Sequence, residues 1–77
     1  MNASQSDSPI EFTLFVNGDP QTLISPCTVA DLLEALEMGG HRVAVAVNRD
    51  IVVRSRYKEA ELADGDRIEI LEAVGGG

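Results

Sequence analysis

Apolar residues recur along this chain with two different periods. In "IEFTLFVNGDPQTLI", Ile10, Phe12, Leu14 and Val16 fall on every second position, which predicts a strand that turns all four to one face. Asn17-Gly18 suits the positive φ of a tight turn, so the stretch reads as a hairpin, and Pro20 assigns its second strand to a sheet edge. In "TVADLLEALEMGG" the period lengthens. Val29, Leu32, Leu33 and Leu36 take helical spacing, Thr28 and Asp31 are placed as a capping box, and Gly39 and Gly40 are the expected stop.

"VAVAV", Val43 to Val47, is apolar on both alternations. That suits a strand covered on both faces, or one whose outer face carries only small alanines. "NRD" reads as a turn, "IVV" as a short strand, and "RSRYKEAELADGD" as an irregular connection with about one helical turn. "RIEILEA" is a last strand with Ile68 and Ile70 inward. The order strand, strand, helix, strand, short strand, strand buries one Leu-rich helical stripe against a mixed sheet of four or five strands. This predicts an α+β fold of the ubiquitin-like β-grasp type. The expected organisation is a disordered polar leader over 1–9, the domain over 10–73, and a flexible Gly-rich tail over 74–77.

Seventy-seven residues support one core, because a chain this short buries only about 60% of its unfolded surface. Aromatic residues are 4% of a chain that is 44% hydrophobic, so Val, Leu, Ile and Ala must fill that core. A net charge of -7 repels phosphate backbones and anionic headgroups, which argues against nucleic acid and membrane surfaces as partners. It fits docking onto basic patches of larger proteins, and equally fits simple solubility. Cys27 is the single cysteine, so no disulfide framework is expected and a reducing, cytoplasmic compartment is. "MNASQSDSP" lacks the basic and apolar regions of a signal peptide, and no run approaches a membrane span of about 20 residues.

The chain finishes "EAVGGG". Glycine has no Cβ, so three in succession thread a channel that rejects side chains. A generic Gly-rich terminus reads first as a frayed end. Here it follows a β-grasp pattern, and the stretches "VNG", "TVADLL", "VAVAVN", "RSRY", "LADGDRIEI" and "AVGGG" together resemble the ubiquitin-like sulfur carrier proteins, the ThiS family of thiamine thiazole biosynthesis. The resemblance covers about residues 12 to 77. It differs where relatives often have Pro and this chain has Val53, and where many have Trp and this chain has Tyr57. The small subunit of molybdopterin synthase is the alternative carrier, but its relatives commonly have prolines just before the tail, which "ILEAVGGG" lacks. A noncatalytic ubiquitin-like interaction module is a third reading.

The resemblance implies a carrier, not an enzyme. An E1-like, ThiF-like adenylyltransferase would use ATP and Mg²⁺ to adenylate the terminal carboxylate, and sulfur from a donor protein would replace AMP. The thiocarboxylate, carried over onto Gly77, would then supply a ThiG-like thiazole synthase. Val74, Gly75 and Gly76 would thread the partner active site, the chain would bind no cofactor or metal itself, and it would be monomeric when free. Phe15 and Leu71 alternate opposite to Leu14, Val16 and Ile70, so they should lie on the sheet face away from the helix. The resemblance favours reading them as a docking patch beside the tail.

Other candidates read as structural. Cys27, just before a helix start, could have a lowered pKa, but no base is evident beside it and a carrier uses a carboxylate. His41 has no second ligand at metal spacing. Asp64 and Asp66 in "DGD" suit a turn and lack the further ligands of a calcium loop. Ser55 has no plausible His and acid relay.

Overall fold

In the computed structural model, which describes residues 10–40 and 42–72, the predicted hairpin is the first element. β1 (Ile10–Val16) and β2 (Asp19–Ser25) pair antiparallel over their full lengths. Asn17 and Gly18 join them at φ 52° and 89°, the double positive φ whose twist matches the flanking strands. β3 (Val43–Val47) and β4 (Asp50–Val52) form a second hairpin. Its turn residues Asn48 and Arg49 are also positive, at 51° and 74°.

β5 (Arg67–Glu72) lies between the hairpins, parallel to β1 and antiparallel to β3, giving the order β2-β1-β5-β3-β4. Pro20 therefore sits on an edge strand, as its missing N–H requires. Across one face lies α1 (Val29–Ala35). Its N-terminus is closed from two sides. Thr28 Oγ1 accepts from the Asp31 N–H while an Asp31 carboxylate oxygen accepts from the Thr28 N–H, and the carbonyls of Ala60 and Tyr57 accept from the Val29 and Ala30 N–H groups. All four of the donors that a helix start leaves over are thus satisfied. A single 3₁₀ turn at Arg54–Arg56 begins the connection that supplies those carbonyls.

The core is the space between α1 and the sheet. Val29, Leu32 and Leu33 join Phe12, Leu14, Val16, Val45, Ile68 and Ile70, with Cys27 and Leu62 closing the end, and Leu36, Val43 and Val47 pack at its margin. Of the alternation in β3, Val45 faces inward and Ala46 is buried on the other face, while Ala44 is exposed. The outer face is thus floored by alanines rather than covered. With one helix against a five-stranded mixed sheet, the fold is a ubiquitin-like β-grasp.

One residue of the predicted inward face is left uncovered, and one expectation needs correction. Ile10 alternates with Phe12 but is 67% exposed. It begins β1 at a sheet corner, paired to Ser25 of the edge strand, and a seven-residue helix about 10 Å long does not reach over it. The helix also stops before Gly39. Leu36 is the C-cap and Glu37 takes the left-handed conformation at φ 62°. The Glu37 N–H donates to Glu34 O and the Met38 N–H to Leu33 O, the paired bonds of a Schellman motif with glutamate where glycine is usual. Met38 packs on the core, an apolar contact of the kind that often accompanies this ending and that offsets the unfavourable φ.

Candidate functional site

β5 carries the chain out of the sheet towards residues 73–77. Phe15 is 39% exposed and Leu71 72% exposed, and the register puts both on the face away from α1. They do not touch as a pair. Phe15 is aligned with Arg67, so Leu71 lies four positions further along β5, about 13 Å at strand rise. What adjoins Leu71 is Ala44, its partner on β3, and one step away Ala46 is flanked by Glu69 and Ile51. Two alanines therefore floor a shallow apolar strip between Leu71 and Ile51, which is 73% exposed.

Ile51, Val53 and Ile24 are exposed apolar side chains that the sequence reading did not single out. A signal existed for Ile24, since a two-residue Asn-Gly loop fixes the register and sets Ile24 against Glu11. The groove beside Leu71 is lined by Arg42, Val43, Ala44, Arg54 and Glu72, so two cations stand near the point where the chain leaves β5. Val74, Gly75, Gly76 and Gly77 lie outside the described residues, as do His41 and the leader.

The remaining candidates take structural places. Cys27 is 5% exposed and its Sγ donates to Thr28 O at 3.5 Å. Burial pushes its thiol pKa up, and the nearby Asp31 carboxylate adds to the shift. The thiol pKa at the helix start is raised and not lowered, because burial disfavours the thiolate and the Asp31 carboxylate repels it. The carboxylates of "DGD" hold a loop: Asp64 accepts from the Thr13 N–H, and Asp66 accepts from Ala63 N–H and Asn48 Nδ2. No group of three potential metal ligands occurs among the described residues. Ser55 is exposed. Tyr57 is half-buried, its hydroxyl donating to Val43 O at 3.3 Å, so it ties the irregular connection to β3. No helix of the described residues is long and apolar enough to cross a membrane.

Known proteins match this frame along nearly all of it. The ThiS family model matches residues 14–77. The sulfur carrier protein ThiS of Bacillus subtilis is 44% identical over 50 residues, which cover 65% of this chain and 76% of that protein. A thiazole synthase of Paramagnetospirillum magneticum is 38% identical over 64 residues, 83% of this chain but only 20% of the synthase, so the chain spans about a fifth of that relative's length. A crystal structure of thiamine biosynthesis protein ThiS from Geobacter metallireducens superimposes with a TM-score of 0.72 at 33% identity, covering 86% of this chain and 100% of that one. With the match running from β1 to Gly77, the chain belongs to the ThiS family.

Proposed function

We propose that this chain is a sulfur carrier for thiamine thiazole synthesis, working as a protein co-substrate with no catalytic site of its own. The observation that carries the reading is the family match continuing past β5 through Val74, Gly75, Gly76 and Gly77. A carboxylate is a poor acyl donor. Attack of the Gly77 carboxylate on the α-phosphorus of ATP, with pyrophosphate leaving and Mg²⁺ held by the partner adenylyltransferase, gives an acyl adenylate. A persulfide on a donor protein then attacks the carbonyl carbon and AMP departs, giving an acyl disulfide. A thiol reductant attacks the donor-side sulfur of that disulfide, forming a new disulfide with the donor and releasing the thiocarboxylate.

Thiazole synthase is the proposed acceptor of that sulfur. The P. magneticum thiazole synthase, with a stretch similar to this chain within one polypeptide, supports that pairing. The outer face supplies the docking surface, with Leu71 and its alanine-floored strip nearest the tail and Phe15 further along. Desolvated apolar contacts of this kind carry a large share of interface energy. The test is intact-protein mass spectrometry after incubation with the adenylyltransferase, ATP, Mg²⁺ and a sulfur donor. Replacement of one oxygen by sulfur in the C-terminal peptide supports the proposal, and an unchanged mass refutes it.

A further inference from the structure

β5 is supported unequally along its two sides. On the β3 side the ladder runs from Ile68 to Glu72. On the β1 side only Arg67 and Ile68 are paired, because β1 turns away at Asn17-Gly18. In a continued parallel ladder the Ile70 N–H would donate to the Asn17 carbonyl, and Ile70 O would accept from the residue two further along β1. The Asn17 side chain does both jobs: its Oδ1 accepts from the Ile70 N–H at 3.0 Å and its Nδ2 donates to Ile70 O at 3.1 Å. Its backbone N–H still donates to Ile68 O at 2.8 Å. One residue therefore makes the hairpin turn and extends the sheet past it.

We infer that Asn17 is a positioning residue for carrier delivery: its amide bracket on Ile70 holds the last two residues of β5, Leu71 and Glu72, in the strand from which the tail departs. This rests on the carrier reading above. Without the bracket, Ile70 loses its hydrogen bonds on the β1 side, and docking must order the end of β5 as well as bind it. No backbone group of β1 can replace it, since the strand has already reversed.

The other hairpin supplies a matched control. Asn48 in the β3–β4 turn accepts from the Arg67 N–H through Oδ1 at 3.0 Å and donates through Nδ2 to Asp66 at 3.0 Å. It pins the start of β5, three residues before Ile70, by the same number of side-chain bonds. Asn17→Gly and Asn48→Gly both keep a residue that favours positive φ and both remove an amide pair. A purely structural role predicts equal consequences for the two.

The experiment measures adenylation of the full chain by its adenylyltransferase, as pyrophosphate release against carrier concentration, together with amide exchange at Ile70 by NMR. For Asn17→Gly we expect faster exchange at Ile70 and a roughly tenfold rise in KM with kcat nearly unchanged, the scale of losing a hydrogen-bond pair. Asn48→Gly should leave KM within about twofold, its loss being at the far end of β5. Asn17→Asp keeps the acceptor for the Ile70 N–H and loses the donor, so its KM should fall between wild type and Asn17→Gly. Equal KM for the two glycine variants, or unaltered Ile70 exchange in Asn17→Gly, would overturn the inference while leaving the carrier reading standing. A wild-type chain that releases no pyrophosphate would instead overturn the carrier reading, and this role with it.

Discussion

Replacing Leu32 with alanine tests whether α1 holds the sheet as described. Leu32 is 0% exposed, and its companions Leu14, Val29, Val45 and Ile68 are each at 1% or below. Leu→Ala in a core costs about 2 to 5 kcal/mol, depending on how far the site collapses. Four neighbours anchored in a short helix and three central strands leave little room to collapse, which places the expected loss near 3 to 4 kcal/mol. A chain of 77 residues holds in total roughly 4 to 12 kcal/mol, so about a quarter or more of the stability should go. The assay is urea unfolding followed by far-ultraviolet circular dichroism, the chain having no Trp and one Tyr. With a slope near 1 kcal/mol per molar urea for a domain this small, the midpoint should fall by about 3 M. Leu71→Ala, at 72% exposed, is the control and should cost under about 0.5 kcal/mol. Comparable losses for the two leucines, or less than about 1 kcal/mol for Leu32, would refute the packing argument.

Thr28→Ala should cost about 1 kcal/mol by leaving the Asp31 N–H without its cap, and Thr28→Ser should recover most of it, both read from the same urea midpoints. Cys27 makes stability depend on alkalinity. Its thiol pKa is raised in the fold, so the contribution is complete below the ordinary thiol value of about 8.5 and is lost as pH rises, the unfolded state ionising first. Urea midpoints at pH 7 and 9.5 should therefore diverge more for wild type than for Cys27→Ala, and parallel behaviour would contradict the buried thiol. Phe15→Asp combined with Leu71→Asp should weaken binding to the adenylyltransferase at least tenfold by calorimetry, with the circular dichroism spectrum retained. Unchanged affinity would remove the outer face from the docking account.

The hairpin, the capped helix and the inward set of β5 were legible in the sequence because each is written in local period and turn chemistry. Asn17-Gly18, Thr28 with Asp31, and Ile68 with Ile70 need no knowledge of distant residues. What escaped depends on tertiary reach. Ile10 obeys the alternation, yet its burial is decided by the length of a helix packed elsewhere. Backbone freedom predicts the helix stop at Gly39 and Gly40, whereas Glu37 takes the left-handed position two residues earlier and Met38 anchors in the core. Period two turns Phe15 and Leu71 outward, but their separation of about 13 Å at strand rise follows from where β1 and β5 come into register. The bracket from Asn17 to Ile70 spans 53 positions, which no local pattern encodes.

The central claim is that Gly77 presents the carboxylate that receives sulfur, and deleting that one residue tests it most directly. Loss of Gly77 draws the carboxylate back by one residue length, ~3.5 Å, while in-line attack on ATP requires atoms within about 3 to 3.5 Å of each other. The measurement is intact-protein mass spectrometry of the full and shortened chains after incubation with the adenylyltransferase, ATP, Mg²⁺ and a sulfur donor, with the peptide carrying sulfur identified. The account predicts sulfur on the C-terminal peptide of the full chain and essentially none on the shortened one, with equal urea midpoints for the two. Sulfur acquired as readily by the shortened chain, or mapped to Cys27, would contradict it.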